Sequence, residues 1–153
     1  MKLKRIGFVH VQPQAVVAMC LSQDKSVMAV ARRSGQVEVW LTETFEQLLV
    51  VPGHSELEIR SIMWVEPEDC TNAVPENPFY MTTEKKEKKR RLVAVSLSGN
   101  VVEWDLVNRT IQHSYMSPGG PIFSAKVNHK SIYLACADGS VHCVRLKKRG
   151  FEP

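Results

Sequence analysis

The chain has 153 residues, which is long enough for one domain with a buried core. Its residues are 44% hydrophobic and 24% charged, which excludes global disorder and a fibrous protein. Its formal charge of +4 is too small to indicate a nucleic-acid-binding protein by itself.

The sequence contains no targeting or metal-binding pattern. Its start lacks the apolar segment of a signal peptide, and no apolar run approaches the roughly 18 residues of a membrane-spanning helix. The four cysteines show no C-x-x-C pairing and no metal-ligand spacing with the histidines. We therefore expect reduced core thiols in an intracellular protein with no metal and no cofactor.

The first part of the chain predicts a series of strands. A strand is expected at 3–12, and 15–21 is a continuous apolar run that predicts a fully buried inner strand. A hairpin follows at 26–40, with alternating apolar residues on both sides of Gly35. An outer strand is expected at 45–51.

The same order of strands recurs twice. In the second unit, Ile59–Val65 predicts the inner strand, 91–105 the middle hairpin and Thr110–Met116 the outer strand. In the third unit, 121–127 leads into a hairpin at 131–146. No outer strand is expected after this last hairpin. No stretch shows helical periodicity with a face to bury.

The spacing of the turn glycines indicates a repeat. Gly99 and Gly139 are separated by the period of one four-stranded propeller blade, about 40–45 residues. Gly35 and Gly99 lie further apart, and the charged segment 66–90 between two predicted strands accounts for the excess. We interpret 66–90 as an insertion in a loop of the second unit.

A polar network is predicted to hold the second unit together. Gly53-His54 precedes the inner strand and Trp104-Asp105 ends the hairpin, the signature pair of a WD repeat. The His54 side chain is expected to bond Ser96 and the ring nitrogen of Trp104. These three residues are interpreted as structural. No catalytic residue is predicted, because no nucleophile has an assignable base and no carboxylates pair at a plausible spacing.

The patterns together predict an all-β fold, a partial WD40-type β-propeller of about three blades of four-stranded antiparallel sheet. The blades are expected at 14–52, 53–117 and 118–146, in one incomplete domain spanning 1–153. A closed ring needs about four to eight blades, so the sequence predicts an arc that is truncated relative to a ring. Apolar faces exposed at its ends would make the isolated chain unstable or oligomeric.

Several motifs together resemble the amino-terminal part of the cirhin family of WD-repeat proteins. They are SGQVEV at 34–39, VPGH at 51–54, MWVE at 63–66, SGNVVEWDL at 98–106, GGPIFS at 119–124 and ACADGSV at 135–141. The resemblance covers nearly the whole chain except 66–90. It implies a non-enzymatic scaffold in small ribosomal subunit biogenesis, acting in pre-rRNA processing and in transcription-coupled assembly of the small-subunit processome.

The same resemblance implies where the protein acts and with what. The expected location is the nucleus and nucleolus, and the expected partners are other processome proteins, with a possible weak or indirect contact to pre-rRNA. No membrane and no small-molecule substrate are implied. The alternative is a generic WD-repeat adaptor that presents peptides or phosphorylated partners, for example to a ubiquitin ligase. Outside the insertion, only the pair Arg32-Arg33 suggests such a phosphate-binding loop.

A basic run at the end of the insertion leaves three interpretations open. Its cationic residues are Lys85, Lys86, Lys88, Lys89, Arg90 and Arg91. They could form a solvated loop, a nuclear-import patch, or a patch that contacts RNA phosphates. No aromatic residues alternate with the basic ones, so this run does not predict a base-stacking platform.

Overall fold

The structure is a computed structural model that describes residues 14–54, 56–65, 80–82, 87–147 and 150–153. Within these ranges every regular element is a β-strand, and the strands form three four-stranded antiparallel sheets and one small hairpin. The predicted all-β fold with about three blades is confirmed. The strand predicted at 3–12 lies outside the described residues.

The first sheet follows the chain order. Its strands are β1 (Val16–Leu21), β2 (Val27–Arg32), β3 (Val37–Leu41) and β4 (Gln47–Val51), and each pairs with the next. Alternating apolar residues place one side of each strand against the second sheet. The prediction that 15–21 is buried on both sides is wrong, because only one face of β1 packs against the core. Met19, on the other face, is 60% exposed.

The second sheet is interrupted in sequence by the insertion. In chain order the strands are β5 (Ile59–Val65), β6 (Tyr80–Thr82), β7 (Glu87–Lys89), β8 (Arg91–Ser96), β9 (Asn100–Asp105) and β10 (Thr110–Met116). The sheet order is β10-β9-β8-β5, while β6 and β7 form a separate antiparallel hairpin. The insertion therefore contains a hairpin of its own, which the sequence pattern did not predict.

The third sheet has an outer strand that the sequence analysis missed. Its strands are β11 (Ile122–Asn128), β12 (Ser131–Cys136), β13 (Val141–Leu146) and β14 (Phe151–Glu152), in that order. A tight turn makes β14 possible. Gly150 has a φ of 85°, and its carbonyl accepts a 3.1 Å hydrogen bond from the Lys147 N–H. Two residues are too few for a recognisable period-two pattern.

Two apolar cores lie between the three sheets. The first joins buried residues of sheets one and two, such as Val27, Ala29, Val39, Trp64, Leu92 and Trp104. The second joins sheets two and three through residues such as Met63, Val93, Val95, Ile132, Leu134 and Val144. The second sheet is thus covered on both faces. The first and third sheets each keep one face that no sheet of the described chain covers.

The turn glycines bring neighbouring sheets into backbone contact. A Cβ on Gly35 would lie 2.5 Å from the carbonyl oxygen of His54, and one on Gly53 would lie 2.4 Å from the carbonyl oxygen of Ser34. Gly99 approaches Gly120 in the same way, at 2.8 Å from its carbonyl oxygen. The first two hairpin turns therefore pack against the segment that enters the next sheet, and only glycine fits there.

Candidate interaction surface

A buried ion pair links the end of the insertion to the first sheet. The side chain of Arg90 is 0% exposed, and its guanidinium donates hydrogen bonds to the carboxylate of Asp24 and to the Ser26 hydroxyl, the latter at 2.9 Å. Asp24 lies in the turn between β1 and β2. Arg90 therefore joins the start of β8 to a turn of the first sheet that lies 66 positions earlier in the chain.

The environment of Asp24 favours its ionised form. Burial by itself would raise the pKa of the carboxyl group, but hydrogen bonds from the Ser22 hydroxyl and from the N–H and hydroxyl of Ser26 lower it, and the Arg90 charge lowers it further. The net result is a pKa of about 2 instead of 3.8. The Ser22 and Ser26 hydroxyls lie 2.6 and 2.9 Å from Oδ1.

Arg91 is bound within the protein as well. Its Nε and Nη2 donate to the two carboxylate oxygens of Glu103 at 2.5 Å each, a bidentate pair on neighbouring strands. Its Nη1 donates to the carbonyl of Lys147 at 2.8 Å. Nδ1 of His113 also lies 3.1 Å from Glu103. Arg91 thus connects β8 and β9 to the segment that leads into β14.

These contacts concern two residues of the basic patch predicted from the sequence. Arg90 and Arg91 are held in ion pairs and do not belong to a solvated cationic loop. Lys88 and Lys89 lie in β7, paired with Met81 and Tyr80 of β6. Lys85 and Lys86 lie outside the described residues. Arg90 and Arg91 are therefore engaged within the protein, and a patch formed by the four lysines stays a prediction.

The structure does not bring the three residues of the predicted polar network together. Trp104 lies in the core between sheets one and two, while His54 is exposed. In the described chain the His54 ring forms no hydrogen bond with Ser96 or Trp104. Ser96 bonds locally instead: its hydroxyl lies 2.7 Å from that of Ser98 and accepts the Asn100 N–H at 3.1 Å. Ser98 stands where the repeat usually has Asp, and its hydroxyl allows this local hydrogen bond.

A buried carboxylate organises the first sheet, and the sequence analysis did not identify it. Glu38 is 1% exposed and accepts hydrogen bonds from Arg32 Nε at 3.0 Å and Nη2 at 3.1 Å. The indole N–H of Trp40 and the amide of Gln36 donate to it at 3.1 and 3.2 Å. Glu38 pairs across the hairpin with Val30, so the hairpin register places Arg32 on the same face and could have predicted this pair.

The turn of the third hairpin brings together an acid, a serine and a histidine. The Ser140 N–H and hydroxyl donate to Asp138 Oδ1 at 2.8 and 2.5 Å, and the same hydroxyl lies 2.7 Å from His142 Nε2. These bonds from Ser140 lower the pKa of Asp138. In a catalytic triad the histidine lies between the serine and the acid. Here the serine lies in the middle and its hydroxyl donates a hydrogen bond to the acid, so the group serves to close the turn.

The faces that no sheet of the described chain covers are the exposed surfaces of this fold. On the third sheet, the side chains that alternate with the buried ones point away from the second sheet. We call this surface the open face of the third sheet and define it by Lys126, Tyr133, Val141, Cys143 and Arg145, all exposed. It combines an aromatic ring with two cationic side chains.

The described residues show no site for a metal ion and no membrane-spanning element. No group of three or more His, Cys, Asp or Glu side chains within these ranges could hold a metal ion. The same ranges contain no helix that could cross a bilayer.

Comparison with known proteins gives two kinds of similarity. No protein-family model matches the chain. The chain is 25% identical over 143 residues to the human U3 small nucleolar RNA-associated protein 4 homolog, and 24% identical over 143 residues to the mouse protein of the same name. The matched region makes up 92% of this chain but 18% of each relative, so the chain spans less than a fifth of the length of the curated relatives it matches.

Solved structures share the fold at low sequence identity. The WD40 repeats of RRP9 superpose with a TM-score of 0.64 at 12% identity, covering 94% of this chain and 39% of that one. The β-propeller domain of Cps50 (Swd1) from Myceliophteria thermophila gives a TM-score of 0.61 at 18% identity, covering 90% of this chain and 38% of that one. The chain thus has the fold of a WD40-type β-propeller, and its described residues form three of the blades.

Proposed function

We propose that this chain acts as a non-enzymatic WD-repeat scaffold in small ribosomal subunit biogenesis, in assemblies that contain the U3 small nucleolar RNA. The observation that carries the proposal is the similarity over 143 residues to the human U3 small nucleolar RNA-associated protein 4 homolog. The resemblance to the cirhin family points the same way. Its partners are then other processome proteins, and its location is the nucleolus.

The distribution of polar groups supports a scaffold. The ion pairs of Arg90 with Asp24, Arg32 with Glu38 and Arg91 with Glu103 use buried or half-buried charges to hold the sheets. The serine and histidine of the third hairpin turn close that turn. The sheets expose apolar side chains to solvent, and such surfaces suit the binding of other proteins.

Affinity purification from nuclear extract tests this function. The tagged chain is expected to enrich U3 small nucleolar RNA and processome proteins over a tag-only control and over an unrelated WD40 propeller carrying the same tag. Fluorescence microscopy of the tagged chain should show it in the nucleolus. Enrichment no greater than that of the unrelated propeller, together with a diffuse cytoplasmic signal, would contradict the proposal.

The lysines of the insertion are proposed as the nuclear-import patch. We expect simultaneous replacement of Lys85, Lys86, Lys88 and Lys89 by glutamine to move the tagged chain from the nucleus to the cytoplasm. The matched control replaces four exposed basic residues on blades one and two by glutamine: Lys25, Arg33, Arg60 and Arg109. Unchanged import of the first variant, or equal loss in both, would show that the insertion has no import role.

The first hairpin does not support the alternative function, an adaptor that binds phosphorylated partners. Arg32 is engaged by the Glu38 carboxylate, so the pair Arg32-Arg33 presents one exposed guanidinium and not two. A phosphorylated peptide would have to displace a buried carboxylate to recruit Arg32, which leaves that carboxylate uncompensated.

A further inference from the structure

We propose that the turn between β3 and β4 is a protein-docking element, in which the ring of Phe45 inserts into an apolar pocket of a partner protein whose rim carries Lys or Arg side chains. The proposal rests on the proposed scaffold function for the identity of the partner, a processome protein. It adds the contact residue and the chemistry of the partner's surface. We call residues 42–46 the docking turn. The turn lies at the end of two strands and not on a face through which sheets pack.

Phe45 has a backbone conformation that an aromatic residue seldom adopts. Its φ is 56°, in the left-handed region where the Cβ of a bulky residue is crowded. The other described non-glycine residues with a positive φ are Lys25, Arg109 and His129, all of them polar. In the turn that leads into β14 the left-handed position is taken by Gly150, which avoids the strain. Phe45 is therefore a poor choice for the stability of its turn.

Hydrogen bonds hold the docking turn in this strained conformation. The Phe45 N–H donates to the Leu41 carbonyl at 3.0 Å, and the Leu41 N–H donates to the Glu46 carbonyl at 2.8 Å. The hydroxyl and the N–H of Thr42 both donate to the Ser26 carbonyl, at 3.0 and 3.1 Å, so the turn between β1 and β2 braces the docking turn. A strained φ persists where surrounding bonds fix it, and a rigid turn loses little conformational freedom on binding.

The exposure of Phe45 does not depend on whether another blade packs against the first sheet. Phe45 lies five residues after Trp40, in the turn that follows β3. In the second sheet, which is covered on both faces, Arg109 lies five residues after Trp104 and has a φ of 57°. Arg109 is exposed there, so this position stays open to solvent between two neighbouring sheets. At the same position Phe45 is 48% exposed, which leaves part of an apolar ring in water.

The residues around the ring indicate the chemistry of the partner. Glu43 and Glu46, on either side of Phe45 in the docking turn, are both exposed. In the adjacent turn Lys25 is exposed, while Asp24 is already paired with a buried guanidinium. The exposed carboxylates of the docking turn thus outnumber the exposed ammonium group two to one. An aromatic anchor with a charged rim is typical of contacts that carry binding energy, so we expect an apolar pocket bordered by basic residues.

Two substitutions of Phe45 separate a binding role of the ring from a role in folding. Phe45→Ala and Phe45→Gly both remove the ring, but only glycine relieves the left-handed strain. The urea midpoint of the full chain should therefore be about 0.5 M higher for Phe45→Gly than for Phe45→Ala, and no lower than that of the wild type. Arg109→Gly changes the same turn position in the second sheet and is the matched control.

Site-specific crosslinking in nuclear extract identifies the partner. Photoreactive p-benzoylphenylalanine is placed in the tagged full chain instead of Phe45, or instead of Arg109 as a control. The first protein should form an adduct with one processome protein, at a peptide that lines an apolar pocket bordered by Lys or Arg, and the control should not. Phe45→Gly and Phe45→Ala should each lower co-purification of that protein about tenfold, whereas Arg109→Gly should retain it. Glu43→Gln/Glu46→Gln should lower it about threefold in low salt and little in high salt.

Four outcomes would overturn the proposal. They are a urea midpoint of Phe45→Gly well below that of the wild type, which shows that the ring holds the fold; no adduct, or the same adducts from both positions; an adduct of the chain with itself, which identifies a second copy; and co-purification that Phe45→Gly leaves unchanged. If processome proteins co-purify equally with Phe45→Gly, the scaffold function stands without the docking turn. If a protein outside the processome forms the adduct and is lost in both variants, the docking turn stands and the scaffold function is wrong.

Discussion

The pair Asp24–Arg90 should behave asymmetrically when either partner is replaced. Asp24→Asn removes the anion and leaves the guanidinium of Arg90 in a site with no solvent exposure. Arg90→Met removes the cation and keeps most of the side-chain volume, while Asp24 retains its bonds from Ser22 and Ser26 and is 22% exposed. The first variant should therefore be the more destabilising.

The magnitudes follow from the pKa of Asp24. Its pKa of about 2 instead of 3.8 means that ionisation stabilises the fold by about 2 kcal/mol at neutral pH. Asp24→Asn also leaves the buried Arg90 with an unpaired charge. We therefore expect this variant to lower the free energy of unfolding by about 3 kcal/mol, the lower end of the range for a broken buried ion pair. Arg90→Met should cost about 1 kcal/mol, and the double variant should cost about 1 kcal/mol less than the sum of the two single variants, because Asp24→Asn then leaves no unpaired guanidinium in a buried site.

The stability that Asp24 contributes should decrease as the pH falls. Because folding lowers the pKa of Asp24, the unfolded chain binds the proton more tightly, so the stabilisation is complete well above pH 3.8 and is lost as the pH falls through about 2. At pH 3 about half of the 2 kcal/mol should remain. The difference in stability between wild type and Asp24→Asn should shrink accordingly.

Urea denaturation of the four proteins at pH 7 and pH 3 measures these quantities, with the free energy taken from the midpoint and slope. Asp138→Asn is the matched control, because Asp138 accepts the same kinds of bonds from Ser140 but has no buried guanidinium among its described partners. If Asp24→Asn costs no more than Asp138→Asn, or if the costs of Asp24→Asn and Arg90→Met simply add in the double variant, the argument that Arg90 is held by a buried ion pair is wrong.

Two further substitutions test other features of the fold. Glu38→Gln should lower the free energy of unfolding by about 2 kcal/mol in urea, because it leaves the guanidinium of Arg32 without a carboxylate in a half-buried site. Gly35→Ala should cost about 3 kcal/mol, since the new Cβ would lie 2.5 Å from the His54 carbonyl oxygen at a φ of 79°. The control for Gly35→Ala is Gly139→Ala, which has a φ of 85° and no atom within 4 Å and should cost about 1 kcal/mol in the same urea titrations.

Each of these predictions has an outcome that contradicts it. Glu46→Gln is the control for Glu38→Gln, because Glu46 is exposed and its side chain holds no described ion pair. Equal stability of the two glutamine variants would show that the Arg32–Glu38 bond contributes nothing. If Gly35→Ala and Gly139→Ala lose the same stability, the backbone contact between blades one and two is not a constraint.

The strands of the three sheets could be predicted because each hairpin has apolar residues on both sides of a turn glycine. β8 and β9, on either side of Gly99, were recognised in this way, but the sequence did not show that both of their faces are buried, which happens because the second sheet is covered on each side. β14 could not be predicted, because Phe151–Glu152 is too short to show a period and depends on pairing with Arg145 and Leu146. The inner strand β1 was predicted to be buried on both faces because an apolar run does not show how many faces are covered.

Only some of the polar contacts could be predicted from the sequence. The Arg32–Glu38 pair could have been derived from the register of one hairpin, since Arg32 lies on β2 and Glu38 lies on the neighbouring strand β3. The Asp24–Arg90 pair could not, because the two residues are 66 positions apart and meet only when sheets one and two pack together. From the sequence, Arg90 belongs to a basic run that looks solvated.

The sequence by itself determined the blade: the alternation of side chains, the positive-φ glycine at each turn and the repeat that identifies a propeller are local properties of the chain. Tertiary structure decided which charges are available. It buries Arg90 against Asp24 and pairs Arg91 with Glu103, while it leaves Lys126 and Tyr133 on a face that no sheet of the described chain covers. The reason is physical: burial and pairing depend on what packs against a residue, and that is set by contacts between residues distant in sequence.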